Sequence, residues 1–281
     1  MAKKATGTAL VNWEAEMEAK AKIAEAAQRK TGGGGAFFST AGGVLKYGGT
    51  AMPGNQMVVI ILADIMENVY YDAPYDPEVP ASPKCFAFGK SEREMQPHEA
   101  VALEDCFEQQ ADTCSECPHN EWGSAAKGKG KACSNGMRLA MIPAGVYSAK
   151  GRGREVSFSL DKLFEDEAHF KSAETAFFKV PVTSVKNYAD YVRSLSTTLK
   201  YPPFAVYTNI WLERHERFQH TVNFEAIGKC PTELLPLLTQ RADAAAQDIG
   251  FPYSPPVARE EVKHNPKISR GTKPVKSAGR K

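Results

Sequence analysis

The chain has 281 residues, 42% of them hydrophobic, 24% charged, with a formal charge of +2 and six cysteines. That content can bury one substantial core, or a core with a small satellite, and is that of an ordinary globular protein. The longest apolar run, Met57 to Ala63, falls far short of the roughly 18 residues that a bilayer-spanning helix needs, which excludes that class.

The start, Met1-Ala-Lys-Lys-Ala, leads into an Ala/Glu/Lys-rich stretch without an apolar signal core, so secretion is not expected. Cysteines kept reduced inside a cell read as metal ligands before they read as disulfides. Residues 10 to 30 predict a helix with a sparse apolar stripe (Trp13, Met17, Ile23), ended by a flexible linker at Gly32 to Gly35. No Gly-Lys-Ser/Thr follows those glycines, so they are not a phosphate-binding loop.

From Phe37 the texture is β. Gly43 to Gly48 predicts a short strand, Met52-Pro-Gly-Asn a turn, and Gln56 to Tyr71 a long strand or a pair. A proline-rich loop with Tyr71 and Tyr75 follows, leading to Pro83-Lys-Cys85-Phe-Ala-Phe88. After the cysteine-rich segment, Arg138 to Pro143 resumes an apolar strand, and Val156, Phe158 and Leu160 alternate as a half-buried strand does. Phe177 to Val182 predicts another strand. Val185, Tyr188, Val192 and Leu195 then lie at helical spacing, with Ser184 as a plausible N-cap. Pro203 to Leu212 and Phe218 to Ala226 predict a hairpin around the charged Glu213–Arg217, with one strand face outward, either Tyr207 and Trp211 or Val206 and Ile210. A last helix spans about Pro231 to Ile249.

Residues 254–281 carry eight Lys/Arg against two Glu, a net +6, which leaves −4 for residues 1–253. This Pro/Ser/Lys tail without aromatics is expected to be disordered, either a solubilising tail or an arm for nucleic acid. The domain reading is therefore an N-terminal helix and linker (1–35), a folded domain (36–253) with an insertion at 85–133, and the tail. The fold class expected is mainly β (α+β), with a Greek-key barrel and peripheral helices as the leading architecture, although periodicity alone would equally permit a small α+β sheet.

The chemistry concentrates in Cys114 to Cys133. Cys114 and Cys117 form a Cys-x-x-Cys pair, and Cys133 follows in a Gly/Lys-rich context, a spacing that suits a structural zinc ion. The fourth ligand is open between Cys85, Cys106 and His119. Cys85 is preferred because it sits at a turn by a strand end, whereas His119 follows Cys117 too closely. Lys127, Lys129 and Lys131 alternate with glycines beside Trp122, a pattern suited to phosphates with a stacked base; Lys150, Arg152 and Arg154 repeat the basic/glycine texture. Tyr71, Tyr75 and Arg138 complete the candidate contacts. No catalytic triad order, zinc-protease helix, Walker loop or dinucleotide fingerprint is present, so a binding protein is expected rather than an enzyme.

These stretches resemble a group of bacteriophage single-stranded DNA-binding proteins. The likeness runs through Pro83-Lys-Cys85, Cys114-Ser-Glu-Cys117-Pro118-His-Asn120-Glu-Trp122-Gly123-Ser124, Gly128-Lys-Gly-Lys-Ala-Cys133 and Arg138-Leu139-Ala140, and continues in Val180 to Lys186, Tyr188 to Val192 and Pro202-Pro-Phe204. It covers about residues 37 to 228. The resemblance implies an OB-fold, sequence-tolerant binding of single-stranded DNA (ssDNA), and a role in phage replication or recombination, with phage replication proteins as further partners in the cytoplasm of the infected bacterium. Many such proteins end in an acidic, partner-recruiting tail, and this chain ends in a basic one. Two other classes stay open: a virion structural or assembly protein stapled by zinc, and a zinc-dependent nuclease.

Overall fold

The computed structural model describes residues 36–73, 82–149, 156–163 and 166–253. In chain order these form β1 (Ala36–Ser39), β2 (Lys46–Tyr47), β3 (Thr50–Ala51), β4 (Gln56–Tyr70), β5 (Cys85–Gly89), helix α1 (Glu99–Leu103), β6 (Cys133–Pro143), β7 (Gly145–Ala149) and β8 (Val156–Leu163). Then come α2 (Glu167–Ser172), β9 (Ala176–Val180), α3 (Val185–Ser194), β10 (Val206–His215), β11 (Gln219–Lys229) and α4 (Leu235–Asp248). The expected N-terminal helix, the glycine linker and the basic tail lie outside the described residues.

The apolar run at Met57 forms the spine. β4 is one strand of 15 residues, about 50 Å long at the usual rise per residue. Side chains alternate faces along a strand, so an unbroken apolar run requires cover on both sides. Met57, Val59 and Ile61 enter one core with Tyr188, Tyr191 and Leu195 of the α3 region. Val58, Ile60 and Leu62 enter a second core with Leu238 and Ala245 of α4 and Phe170 of α2. A register shift between Ile61 and Ala63 then exchanges the faces. Beyond it Met66 packs with the first core and Ile65 with the second.

The main sheet runs β11-β10-β4-β6-β9-β1-β2-β3, with β5 paired to the far half of β4; β7 and β8 form a separate ribbon. Among the described residues only the β1–β9 pair is parallel. The sheet is mainly antiparallel, curled and open, because β11 and β3 end the order among the described residues without pairing to each other. The curl nevertheless brings the β1–β2 turn against β11. Gly43 (φ +74) has room for no side chain, since a Cβ there would lie 1.7 Å from His220 Nε2.

Three local expectations are corrected. Neither side of β10 faces outward: Val206 and Ile210 are buried in the α3 core, Tyr207 is buried in the α4 core, and Trp211 is half-buried. The hairpin loop is shorter than its charge suggested, because Glu213, Arg214 and His215 continue β10 and pair with Thr221, His220 and Gln219. Ser184 occupies the N-cap position but does not cap α3. Its Oγ accepts instead from the Val222 backbone N–H at 2.8 Å, while Asn187 Nδ2 donates to the Val222 carbonyl at 3.0 Å. Both open valences of the edge strand at Val222 are thus closed by α3.

Candidate metal centre and nucleic-acid interface

Tyr70, the last residue of β4, is the register partner of Cys85 on one side and Cys133 on the other. Paired residues point to the same face, so two thiols flank the strand end roughly 10 Å apart across three strands. The connection between β5 and β6 brings the other two over that face. Cys114 N donates to Met95 O at 2.9 Å, and the turn Pro118–Asn120 is closed by Asn120 N to Cys117 O at 2.9 Å. Asn120 Nδ2 donates to Cys114 O at 2.7 Å, tying the two halves of the Cys-x-x-Cys turn together.

Cys85, Cys114, Cys117 and Cys133, all buried, line one cavity of about 20 Å³ with Asn68, Tyr70 and Asn120. Cys106 is half-buried in a neighbouring apolar cluster and does not line it. His119 does not line it either: its ring stacks on Tyr70 at 4.0 Å and its Nε2 pairs with Gln110 Oε1 at 3.1 Å. Among the described residues no group of three or more His, Cys, Asp and Glu stands in the arrangement of a preformed metal centre. The four cysteines nevertheless share the lining of one cavity.

Burial pushes the Cys133 thiol up to about 12, negative charge on Cys114, Cys117 and Cys85 adds to that, and Lys131 opposes it. Cys85 and Cys114 are raised in the same way, by burial first. These three raised thiols favour the protonated form unless a cation supplies the opposite charge. The surrounding donors suit charged sulfur. The Gln110 backbone favours the Cys85 thiolate and the Asn68 amide favours that of Cys114. Asn68 is 2% exposed, and its Nδ2 has no oxygen or nitrogen acceptor in the folded chain and faces the Cys114 sulfur. A buried donor aimed into a cavity of thiols fits a four-thiolate ion better than it fits four neutral thiols.

Between Cys117 and Cys133 the chain forms a loop held by its own small residues. Ser124 Oγ donates to the His119 and Glu121 carbonyls and accepts from Ala132 N at 2.9 Å, and Gly123 N donates to Gly130 O at 2.9 Å. Gly123 and Gly128 have φ of +91° and +86°, left-handed conformations that favour glycine. The loop presents Trp122 at 80% exposure, the most exposed large hydrophobic side chain among the described residues. Lys127 and Lys129 are exposed beside it. Lys131 Nζ lies 5.8 Å from the Trp122 ring and donates to Asn120 Oδ1 at 3.2 Å.

The other predicted contacts divide. Tyr71 is exposed at the end of β4. Tyr75, Lys150, Arg152 and Arg154 lie outside the described residues. Arg138 is placed away from solvent, 5% exposed, and so is removed from the candidate contacts. Its Nε and Nη2 donate to buried Glu67, and its Nη1 donates to the Ile249 and Phe251 carbonyls at 3.1 and 2.9 Å. Its guanidinium is sandwiched between Phe88 and Phe251 at 4.3 and 4.1 Å. Arg138 latches the end of α4 to β4 and β6 from inside the fold, where burial keeps it from a phosphate. Sequence reasoning missed this network and the asparagines around the cavity, since neither Glu67 nor Asn68 belongs to a motif.

Comparison with protein-family models finds no matching family, and comparison with curated proteins and with solved structures finds no match to this chain.

Proposed function

We propose that the chain binds single-stranded DNA with little sequence preference, in the manner of the phage proteins it resembles, and catalyses no reaction. In this reading the curled sheet is an OB-type barrel and residues 85–133 are a zinc-stapled insertion. The observation that carries it is the loop from Cys117 to Cys133: a nearly fully exposed indole beside two exposed lysines and a third packed on its ring. An exposed indole offers a π-face of a size to stack on a base, with cations beside it for the phosphates.

The residues divide the work. Cys85, Cys114, Cys117 and Cys133 hold a zinc ion, which supplies the positive charge that keeps four thiolates together. The small cavity leaves no space for a substrate beside such an ion, which favours a structural over a hydrolytic role. Trp122 and Tyr71 stack on bases, while Lys127, Lys129 and Lys131 neutralise phosphates. The basic residues at 150–154 and the +6 tail add positive charge that favours a polyanion.

A fluorescence titration with unlabelled-sequence oligonucleotides, single- and double-stranded, across a salt series tests this. We expect binding of ssDNA that weakens steeply with salt, and a loss of roughly 1–3 kcal/mol in Trp122→Ala. Absence of ssDNA binding at low salt would sink the reading in favour of an assembly role. Cleavage of labelled DNA on adding zinc or magnesium would favour a nuclease.

A further inference from the structure

Three asparagines connect the cysteine cavity to the exposed loop. Asn68 and Asn135 are register partners on β4 and β6. Asn135 Nδ2 donates to Asn68 Oδ1 at 2.6 Å and to Asn120 Oδ1 at 2.9 Å. Asn120 Oδ1 also accepts from Lys131 Nζ, the cation that sits over Trp122.

The polarity of this chain is determined by its members. Because Asn68 Oδ1 is used by Asn135, the Asn68 amino group must point into the cavity, where Nδ2 meets only the sulfur of Cys114. Because Asn120 Oδ1 is used by Asn135 and Lys131, its amino group goes to the Cys114 carbonyl. One end of the chain therefore rests on a cysteine sulfur in the cavity, and the other orients the ring and cation that face solvent. A metal-bound thiolate is a much stronger acceptor than a protonated thiol, whose sulfur accepts only weakly. Supplying it stabilises the Asn68 orientation, and with it every later link.

We propose that Asn68, Asn135 and Asn120 are positioning residues that couple a thiolate-bound divalent cation in the cysteine cavity to the Trp122–Lys131 platform, so that metal loading tightens ssDNA binding. This rests on the ssDNA reading above. It adds that the metal governs the affinity and is not merely a staple for the domain.

Two variants of the full chain test it, with cobalt as the spectroscopic probe and zinc for the binding assays. Asn135→Ala cuts the relay without changing a residue that lines the cavity. We expect it to take up one cobalt ion with the thiolate-to-metal absorption of the parent. The parent should bind ssDNA roughly tenfold tighter with zinc than after chelation, and Asn135→Ala should show little of that gain. Asn68→Leu removes the donor aimed at the thiolates and should weaken cobalt binding by about 10- to 100-fold, as loss of outer hydrogen bonds does at other sites. The cobalt spectrum shows that each variant has folded around its site independently of DNA. Three results would overturn the relay: a parent that takes up no cobalt, a parent whose ssDNA affinity is the same with and without zinc, or Asn135→Ala keeping the full zinc-dependent gain. A zinc-loaded parent that binds no ssDNA at all would instead defeat the underlying reading.

Discussion

Glu67 and Arg138 show how strongly one buried pair can constrain the interpretation of a basic residue. Burial alone would raise the Glu67 carboxyl, but Lys179 and Arg138, with hydrogen bonds from Tyr253 and Arg138, outweigh it and hold the group below its usual 4.5. A carboxylate depressed in the folded state contributes stability that is present above the unfolded value and lost as pH falls through the lower folded one. Denaturant titrations should therefore show this contribution intact at neutral pH and declining below about pH 4. Glu67→Gln should flatten that part of the profile and leave Arg138 charged, buried and without its counter-ion. Breaking a buried pair in this way costs about 3–5 kcal/mol at pH 7. Because Arg138 touches no candidate DNA contact, the salt slope of ssDNA binding should not move in a variant that still folds. A changed slope would return Arg138 to the interface.

Among elements, α3 and β11 show where local pattern stops being informative. Ser184 precedes a helical repeat of Val185, Tyr188 and Val192, and the pattern alone makes it an N-cap. In the fold, the turn Val182–Ser184 rotates its hydroxyl toward Val222, 38 residues away in sequence, and no periodicity reports that partner. Ser184→Ala should leave a buried amide without an acceptor and cost about 1–3 kcal/mol. Hydrogen exchange should quicken first at Val222; an unchanged exchange rate there would show that α3 does not protect the edge. The elements themselves were more legible. The uninterrupted apolar run at Met57 implied a strand, and the hairpin and last helix stand near their expected places. Cover on both faces of β10 was not legible, because alternation cannot distinguish a solvent-facing Tyr207 from one that meets a second core.

Across the whole molecule, the sheet brings residues distant in sequence to one end of β4. Cys85 and Cys133 are 48 positions apart but share Tyr70 as register partner. The Cys-x-x-Cys spacing and the third cysteine were visible in the sequence; the meeting of Cys85 with them, rather than Cys106 or His119, needed the strand pairing. The asparagine relay was invisible, since an amide has meaning only through its neighbours. Trp122 and the lysines stand at the end of this construction, on a loop whose shape the cysteines and asparagines hold.

The central claim is that this loop grips the phosphates of ssDNA, and the salt dependence of binding tests it most directly. With Lys127, Lys129 and Lys131 changed together to Ala, the slope of log affinity against log salt should shrink by about 2, from roughly 0.7 per lost phosphate contact on a single strand, and affinity at low salt should fall. A triple variant with the parent's slope and the parent's affinity would contradict the account.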